Sequence, residues 1–238
     1  MAGRHPLQRL ASPSRQLSFL LHLAGILSFT SSFKFLSTWE TPMSAAFGGH
    51  FQFLTIIGLS LALCTFGIGF LADVTLSSRL FALKNVLSVC SAPLEILISI
   101  LYWGLCAIDK NLVFPPDLQL DLLPDLGFHA APAVFLALDL LLLSPPWTIH
   151  GFSALALSEA LALLYWFWVE YCFSHNGWYP YPIFDKLSTW QRMLLFTFSA
   201  LLMTGSTMIL KWTYGKINGI EEFKRDAVSD PVGIRKRK

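Results

Sequence analysis

Two side chains of complementary chemistry stand near the starts of apolar stretches far apart in the chain: Thr55, within GGHFQFLTIIGL (Gly48 to Leu59), and His129, within GFHAAPAVFLALD (Gly127 to Asp139). A threonine hydroxyl becomes a useful nucleophile only when a base takes its proton, and a neutral imidazole is the usual base near neutral pH. Together, such a pair could perform acyl transfer. Gly58, three residues after Thr55 on nearly the same helical face, leaves room for a substrate chain or a closely packed helix. Asp125, one turn before His129, and Glu170 are the carboxylates best placed to orient the imidazole, with His50 and His175 as further polar candidates. Asp139 lies ten residues beyond His129, about 15 Å along a helix, too far to orient it directly. Ordinary roles compete with these. A threonine near a helix start commonly caps the helix or bonds back to the preceding turn, and a histidine there can be an interfacial polar group. Glu95, Asp139 and Glu159 fall inside apolar stretches, where a carboxylate either serves function or hydrogen-bonds between helices.

Other chemistries find no support in the sequence. The six histidines are scattered singly, without the HxxxH and HxxHH clusters of membrane metalloenzymes, so no metal site is expected. There is no P-loop or GxSxG elbow, and the Gly67 to Gly69 GIG reads as small-residue helix packing, so no cofactor is called for. The four cysteines form no CxxC pair; Cys64 and Cys90 read as apolar fillers, whereas Cys106 and Cys172 fall at helix ends on one side, where a disulfide is open to them.

The elements that must position Thr55 and His129 follow from composition. The 238 residues are 54% hydrophobic and only 13% charged, with a mean hydropathy of +0.56, which marks an integral membrane protein. A hydrocarbon core of about 30 Å needs about 20 apolar residues per helix. Six segments approach that: 16–32, 52–71, 85–106, 127–143, 152–172 and 191–210. None alternates as a membrane strand would, so an all-α bundle of six transmembrane helices is predicted. The first segment follows an arginine-bearing stretch but lacks a clear cleavage site, and reads as a retained helix. Residues 1–15 form an N-terminal segment, 16–210 the bundle and 211–238 a charged, partly disordered tail.

Basic residues set the orientation. Arg4, Arg9, Arg15, Arg79, Lys84, Lys211, Lys216 and the basic C-terminal tail would share the cytosolic face, so both termini are predicted to be cytosolic. Thr55 then lies near the lumenal start of the second helix and His129 in the first turn of the fourth, at one membrane depth. Unpaired N–H groups at those two helix starts could also hold an oxyanion. A net charge of +2 is too small to suggest nucleic acid, and anionic lipid headgroups are the better partner for the juxtamembrane lysines and arginines. The closing IRKRK resembles a dibasic retrieval signal of the endoplasmic reticulum, although charges enforcing topology would look the same.

At these residues the sequence resembles the androgen-induced membrane protein family. GGHFQFLT (Gly48 to Thr55), SAPLEILISILYWGLCAIDKNLVFP (Ser91 to Pro115), GFHAAPAVFLALD (Gly127 to Asp139) and HNGWYPYP (His175 to Pro182) follow the family's pattern in order. The resemblance implies a multi-pass membrane enzyme that hydrolyses fatty acid esters of hydroxy fatty acids, with Thr55 in the place of the family's nucleophile and His129 in that of its histidine. Its substrate would be a lipid ester entering from the bilayer. Pro132 stands closer to His129 than the family pattern would have it, and Glu170 and Tyr171 replace a histidine pair, so the wall near the fifth helix departs from that pattern. A non-catalytic lipid-binding or regulatory membrane protein is the competing reading. A transporter is disfavoured because no broken helix pair recurs in the two halves. The sequence leaves the oligomeric state open.

Overall fold

A computed structural model describes residue 10 and residues 12–114, 118, 120–147 and 149–218. Arg4, Arg9, Pro115, Pro116, Asp117 and the IRKRK tail lie outside the described residues. Among the described residues every regular element is helical. Five helices are long and apolar enough to cross a membrane: α1 (Leu17–Thr38), α2 (Leu54–Thr75), α3 (Ser78–Ile108), α6 (Gly151–Asn176) and α8 (Thr189–Asn218). A sixth span is broken into α4 (Leu122–His129) and α5 (Ala131–Leu138), which continues through a π-helical turn, Asp139–Leu143. The two parts bend by 43°. The short α7 (Pro182–Lys186) joins α6 to α8. Large apolar side chains such as Leu20, Phe152, Phe167 and Ile209 face outward, as lipid-facing positions do.

The break in the sixth span has a covalent cause. Pro132 has no N–H to give the Phe128 carbonyl, so the helical ladder stops at His129. His129 is therefore the last residue of α4, not part of a first turn as the sequence suggested, because Leu122–Phe128 is already helical with Pro124 tolerated near its start. The His129 carbonyl is taken up by α3, accepting from Ser99 Oγ and, at 3.3 Å, from Trp103 Nε1.

α1, α2 and α5 share an aromatic core in which Phe66 meets Phe29 and Phe135 edge-on, with centroids 5.3 and 6.1 Å apart. α3 packs on α2, and α6 packs chiefly on α8, so the α6 side of the bundle stands partly away from α2 and α3. At the end remote from Thr55, a fully buried ionic cluster ties four elements together. His22 Nδ1 meets Asp73 Oδ2 at 2.8 Å, its Nε2 faces Asp139 Oδ1 at 3.3 Å, and Lys84 Nζ donates to Asp139 Oδ2 at 2.8 Å. Lys84 is thus not a free cytosolic charge as its place in the sequence suggested; burial against Asp139 recruits it into the core. Arg15, by contrast, caps the end of α2 by donating to the Val74 carbonyl at 2.8 Å.

The spans are longer than the apolar runs alone indicated, since hydroxyls bonded back to the helix, as Thr75 to the Leu71 carbonyl at 2.6 Å, let polar residues continue it. The charged tail begins later than residue 211. α8 stays helical to Asn218, anchored where Tyr214 donates to the Ser144 carbonyl at 2.8 Å and Asn218 to that of Leu141 at 3.1 Å.

Candidate active site

Thr55 is delivered by a glycine turn. Gly48 and Gly49 adopt φ of 82° and 50°, the left-handed region that favours glycine. A Cβ on Gly48 would also sit 2.8 Å from Cys172 Sγ. The turn leads through the 3₁₀ segment Gly49–Gln52 into α2, whose N-cap residue, Phe53, offers no side-chain bond. The cap comes from elsewhere. Leu54 N–H donates to the hydroxyls of Tyr165, at 3.1 Å, and Tyr181, at 3.0 Å. Tyr165 donates in turn to the Gln52 carbonyl at 2.8 Å, while the Ile56 and Ile57 amides reach the Phe53 carbonyl. Thr55 is the second residue of α2 and caps nothing. Thr55 lies beside Tyr181, and the two line the same cavities. Burial pushes the Tyr181 phenol above its ordinary range, so it remains a neutral donor. Because His129 ends a helix, no helix start lies at its position, while at the start of α2 the Leu54, Ile56 and Ile57 amides already have partners.

The His129 ring is held at Nδ1 and across one face. Its Nδ1 lies 2.8 Å from Asp125 Oδ1, one turn back on α4. Tyr102 stacks on the imidazole with centroids 3.4 Å apart and planes within 3°, and its hydroxyl sits beside the same Asp125 carboxylate. An ionised carboxylate only accepts, so the hydrogen bond assigns the proton to Nδ1 and leaves the lone pair on Nε2. Thr55 and His129, both buried, line one small cavity of about 60 Å³ with His50, Trp39, Phe128 and Tyr181. His50 Nε2 is 3.1 Å from Ser44 Oγ, and burial holds its pKa below the ordinary range. Thr55 and Tyr181 also line a second cavity of about 350 Å³ between α2, α3, α6 and α8.

The remaining candidates are placed elsewhere. A Cβ on Gly58 would stand 2.5 Å from Ile98 Cδ1 and 2.6 Å from Glu95 Oε1, so this glycine admits α3, not a substrate chain. Glu170 does not orient His129; it accepts from the Tyr179 hydroxyl at 3.0 Å and faces Arg192 Nε at 3.5 Å. That arrangement fixes the turn leading to Tyr181, and burial together with Glu170 pushes the Tyr179 phenol up to about 12. His175 lies outside both cavities and stacks on Phe47, centroids 4.1 Å apart, clamping the glycine turn to α6. Cys106 and Cys172 are free, so the disulfide open to them on sequence is not formed. Among the described residues no group of His, Cys, Asp and Glu could hold a metal ion.

A sequence model described as FAR-17a/AIG1-like protein matches residues 17–215. The chain belongs to the FAR-17a/AIG1-like family. Among its relatives, a UPF0641 membrane protein of Schizosaccharomyces pombe is 31% identical over 206 residues, covering 85% of this chain and 92% of the relative. The androgen-induced gene 1 protein of Homo sapiens is 24% identical, covering 77% and 84% respectively. The androgen-dependent TFPI-regulating protein of Mus musculus is 26% identical, covering 71% and 80%. No solved structure matches the chain. In this FAR-17a/AIG1-like bundle the residues that sequence reasoning passed over are Tyr102, Tyr165 and Tyr181. All three look like interfacial aromatic residues in sequence, and only contact with His129, Leu54 and Thr55 distinguishes them.

Proposed function

We propose that this FAR-17a/AIG1-like protein is an intramembrane lipid ester hydrolase with Thr55 as nucleophile and His129 as base. The observation that carries the reading is that both side chains line one buried cavity while Asp125 holds the far nitrogen of the imidazole. His129 Nε2 takes the Thr55 proton as Oγ attacks the ester carbonyl carbon, and Tyr181 O–H donates to the oxygen that becomes negative. Collapse of the tetrahedral intermediate breaks the bond to the alcohol oxygen, which receives the proton from His129. Water, deprotonated by the same Nε2, then attacks the acyl-threonine; the fatty acid leaves and Thr55 is restored. Asp125 steadies the imidazolium formed in each half.

The substrate class is the fatty acid ester of a hydroxy fatty acid, as the family resemblance implies, entering from the bilayer. Excess basic residues at the chain ends favour cytosolic termini and a lumenal site in a membrane such as the endoplasmic reticulum. Purified full-length protein in nanodiscs tests the reading. A fluorophosphonate probe should label Thr55, and Thr55→Ala should lower kcat by at least about 10³-fold with the fold intact. A folded Thr55→Ala protein with full esterase activity would refute it. Lipid binding without probe labelling or turnover would identify a non-catalytic lipid-binding protein instead.

A further inference from the structure

The larger cavity is unexplained by the proton chemistry, and its lining carries a further assignment. It runs along the bundle: its α3 wall extends from Leu94 to Leu105 and its α6 wall from Ser158 to Trp168, about 16 and 15 Å at ~1.5 Å per residue. The end remote from Thr55 is closed. Leu94, Leu97 and Met203 form one buried apolar cluster, and Ala200 and Ser158 beside them are each 2% exposed. The serine hydroxyls along its walls are engaged, since Ser158 Oγ donates to the Ala154 carbonyl at 2.9 Å and Ser199 Oγ to that of Leu195 at 2.8 Å. An apolar cavity of this kind stays dry and takes hydrocarbon in place of water. Leu164, lining the cavity and 66% exposed, marks a side opening toward lipid where α6 stands away from α3. Gly58 packed between Glu95 and Ile98 sets the register of α2 on α3. It places Thr55 above the floor, so a chain joined to its acyl carbon would run down the cavity.

We infer that this cavity is the acyl-chain site of the enzyme, and that Ala200 and Met203 set the length of chain it accepts. The assignment rests on the hydrolase reading for the identity of the chain, but not for the presence of a hydrocarbon site. About 15 Å admits roughly a dozen carbons of an extended chain with C–C bonds of about 1.5 Å. Ala200, one turn above Met203 on the same α8 stripe, narrows the cavity if enlarged; Met203, at its foot, deepens it if truncated.

Two readouts on full-length protein in nanodiscs test this. The first is the rate on p-nitrophenyl esters with acyl chains of 4 to 16 carbons. In the parent protein kcat/KM should rise with length up to about 12 carbons, each buried methylene being worth about fourfold. Ala200→Phe should lower the ratio of the 12-carbon to the 4-carbon rate at least about tenfold, the effect of excluding two or three methylenes. Met203→Ala should move the plateau to longer chains, so the inference remains testable if one variant fails to fold. The second readout is crosslinking by a fatty acid with a terminal diazirine, mapped in both parent and Thr55→Ala protein. Labelling at Leu94, Leu97, Ser158 or Met203, competed by palmitate, is expected. Crosslinks confined to outward residues such as Phe152, Phe167 and Ile209, or an active enzyme whose length profile neither variant moves, would overturn the assignment. Crosslinks at the floor in a protein without esterase activity would support the hydrocarbon site while refuting the hydrolase.

Discussion

Under the proposed hydrolase mechanism, replacing Asp125 by Asn changes one atom and should nearly abolish turnover. In the native site the carboxylate can only accept, so His129 carries its proton on Nδ1, 2.8 Å from Asp125 Oδ1, and keeps its basic lone pair on Nε2. An amide can present either oxygen or nitrogen to the ring. The Tyr102 hydroxyl beside the carboxylate decides which, because its proton draws the amide oxygen. The amide NH₂ is then left to donate to Nδ1, which moves the ring proton to Nε2 and removes the base. The variant also loses the negative charge that steadies the imidazolium. Together these should lower kcat by about 10³- to 10⁴-fold, the scale of a mis-set tautomer in a comparable triad, or about 4 to 5.4 kcal/mol at ~1.36 kcal/mol per decade. KM should change little, since Asp125 lines neither cavity. Steady-state kinetics in nanodiscs supply the assay, and a second substitution supplies the control. Tyr102→Phe keeps the ring stacked on His129 but removes the hydroxyl that turns the amide. Asp125→Asn with Tyr102→Phe should therefore recover about tenfold over Asp125→Asn alone, a non-additivity that lost packing would not produce. Asp125→Asn activity within about threefold of the parent, or a double variant no more active than Asp125→Asn alone, would refute the tautomer argument.

Tyr181→Phe should lower kcat by about 10²-fold with little effect on KM, the cost of one oxyanion donor, and helix α2 should keep its cap through Tyr165; circular dichroism alongside turnover checks both. Gly58→Ala should destabilise the protein by about 1 to 3 kcal/mol, because its Cβ meets Ile98 and Glu95 at 2.5 and 2.6 Å, visible as a lowered midpoint in thermal unfolding. Lys84→Met should cost about 3 to 5 kcal/mol by leaving the buried Asp139 charge without its cation, and Lys84→Met with Asp139→Leu should recover much of that in the same assay. Burial lowers the pKa of His50 from 6.5, so in the window below 6.5 the unfolded state binds more protons than the folded one. Stability should accordingly fall as pH drops through that window, and His50→Phe should flatten this part of the curve of unfolding midpoint against pH.

Much of the architecture is legible in the chain because a membrane leaves few solutions. Backbone groups in hydrocarbon must be satisfied within a helix, so the apolar runs near residues 16–32, 52–71, 85–106, 152–172 and 191–210 each correspond to a long helix in the structure. The same logic singles out Thr55 and His129, since polar groups are costly there and depth follows from topology. What composition could not supply is how far a helix continues past its apolar run, which depends on contacts such as Tyr214 with Ser144.

The helical membrane class, the family and two polar residues that topology brings to one level can all be read from the chain. Those properties depend on local hydropathy, spacing and motif order, which sequence carries directly. What surrounds them emerges from the folded bundle. It breaks the span at His129 because Pro132 withholds a donor, gives Asp125 rather than Glu170 to the imidazole, and caps α2 with tyrosines from across the bundle. It also turns Lys84 inward to Asp139 and gives Gly58 to helix packing. The break and the Asp125 contact are local to α4 and α5, whereas the tyrosine caps, the Lys84–Asp139 pair and the packing of Gly58 depend on which side chains meet between helices distant in sequence, which is fixed by packing complementarity that no single segment encodes.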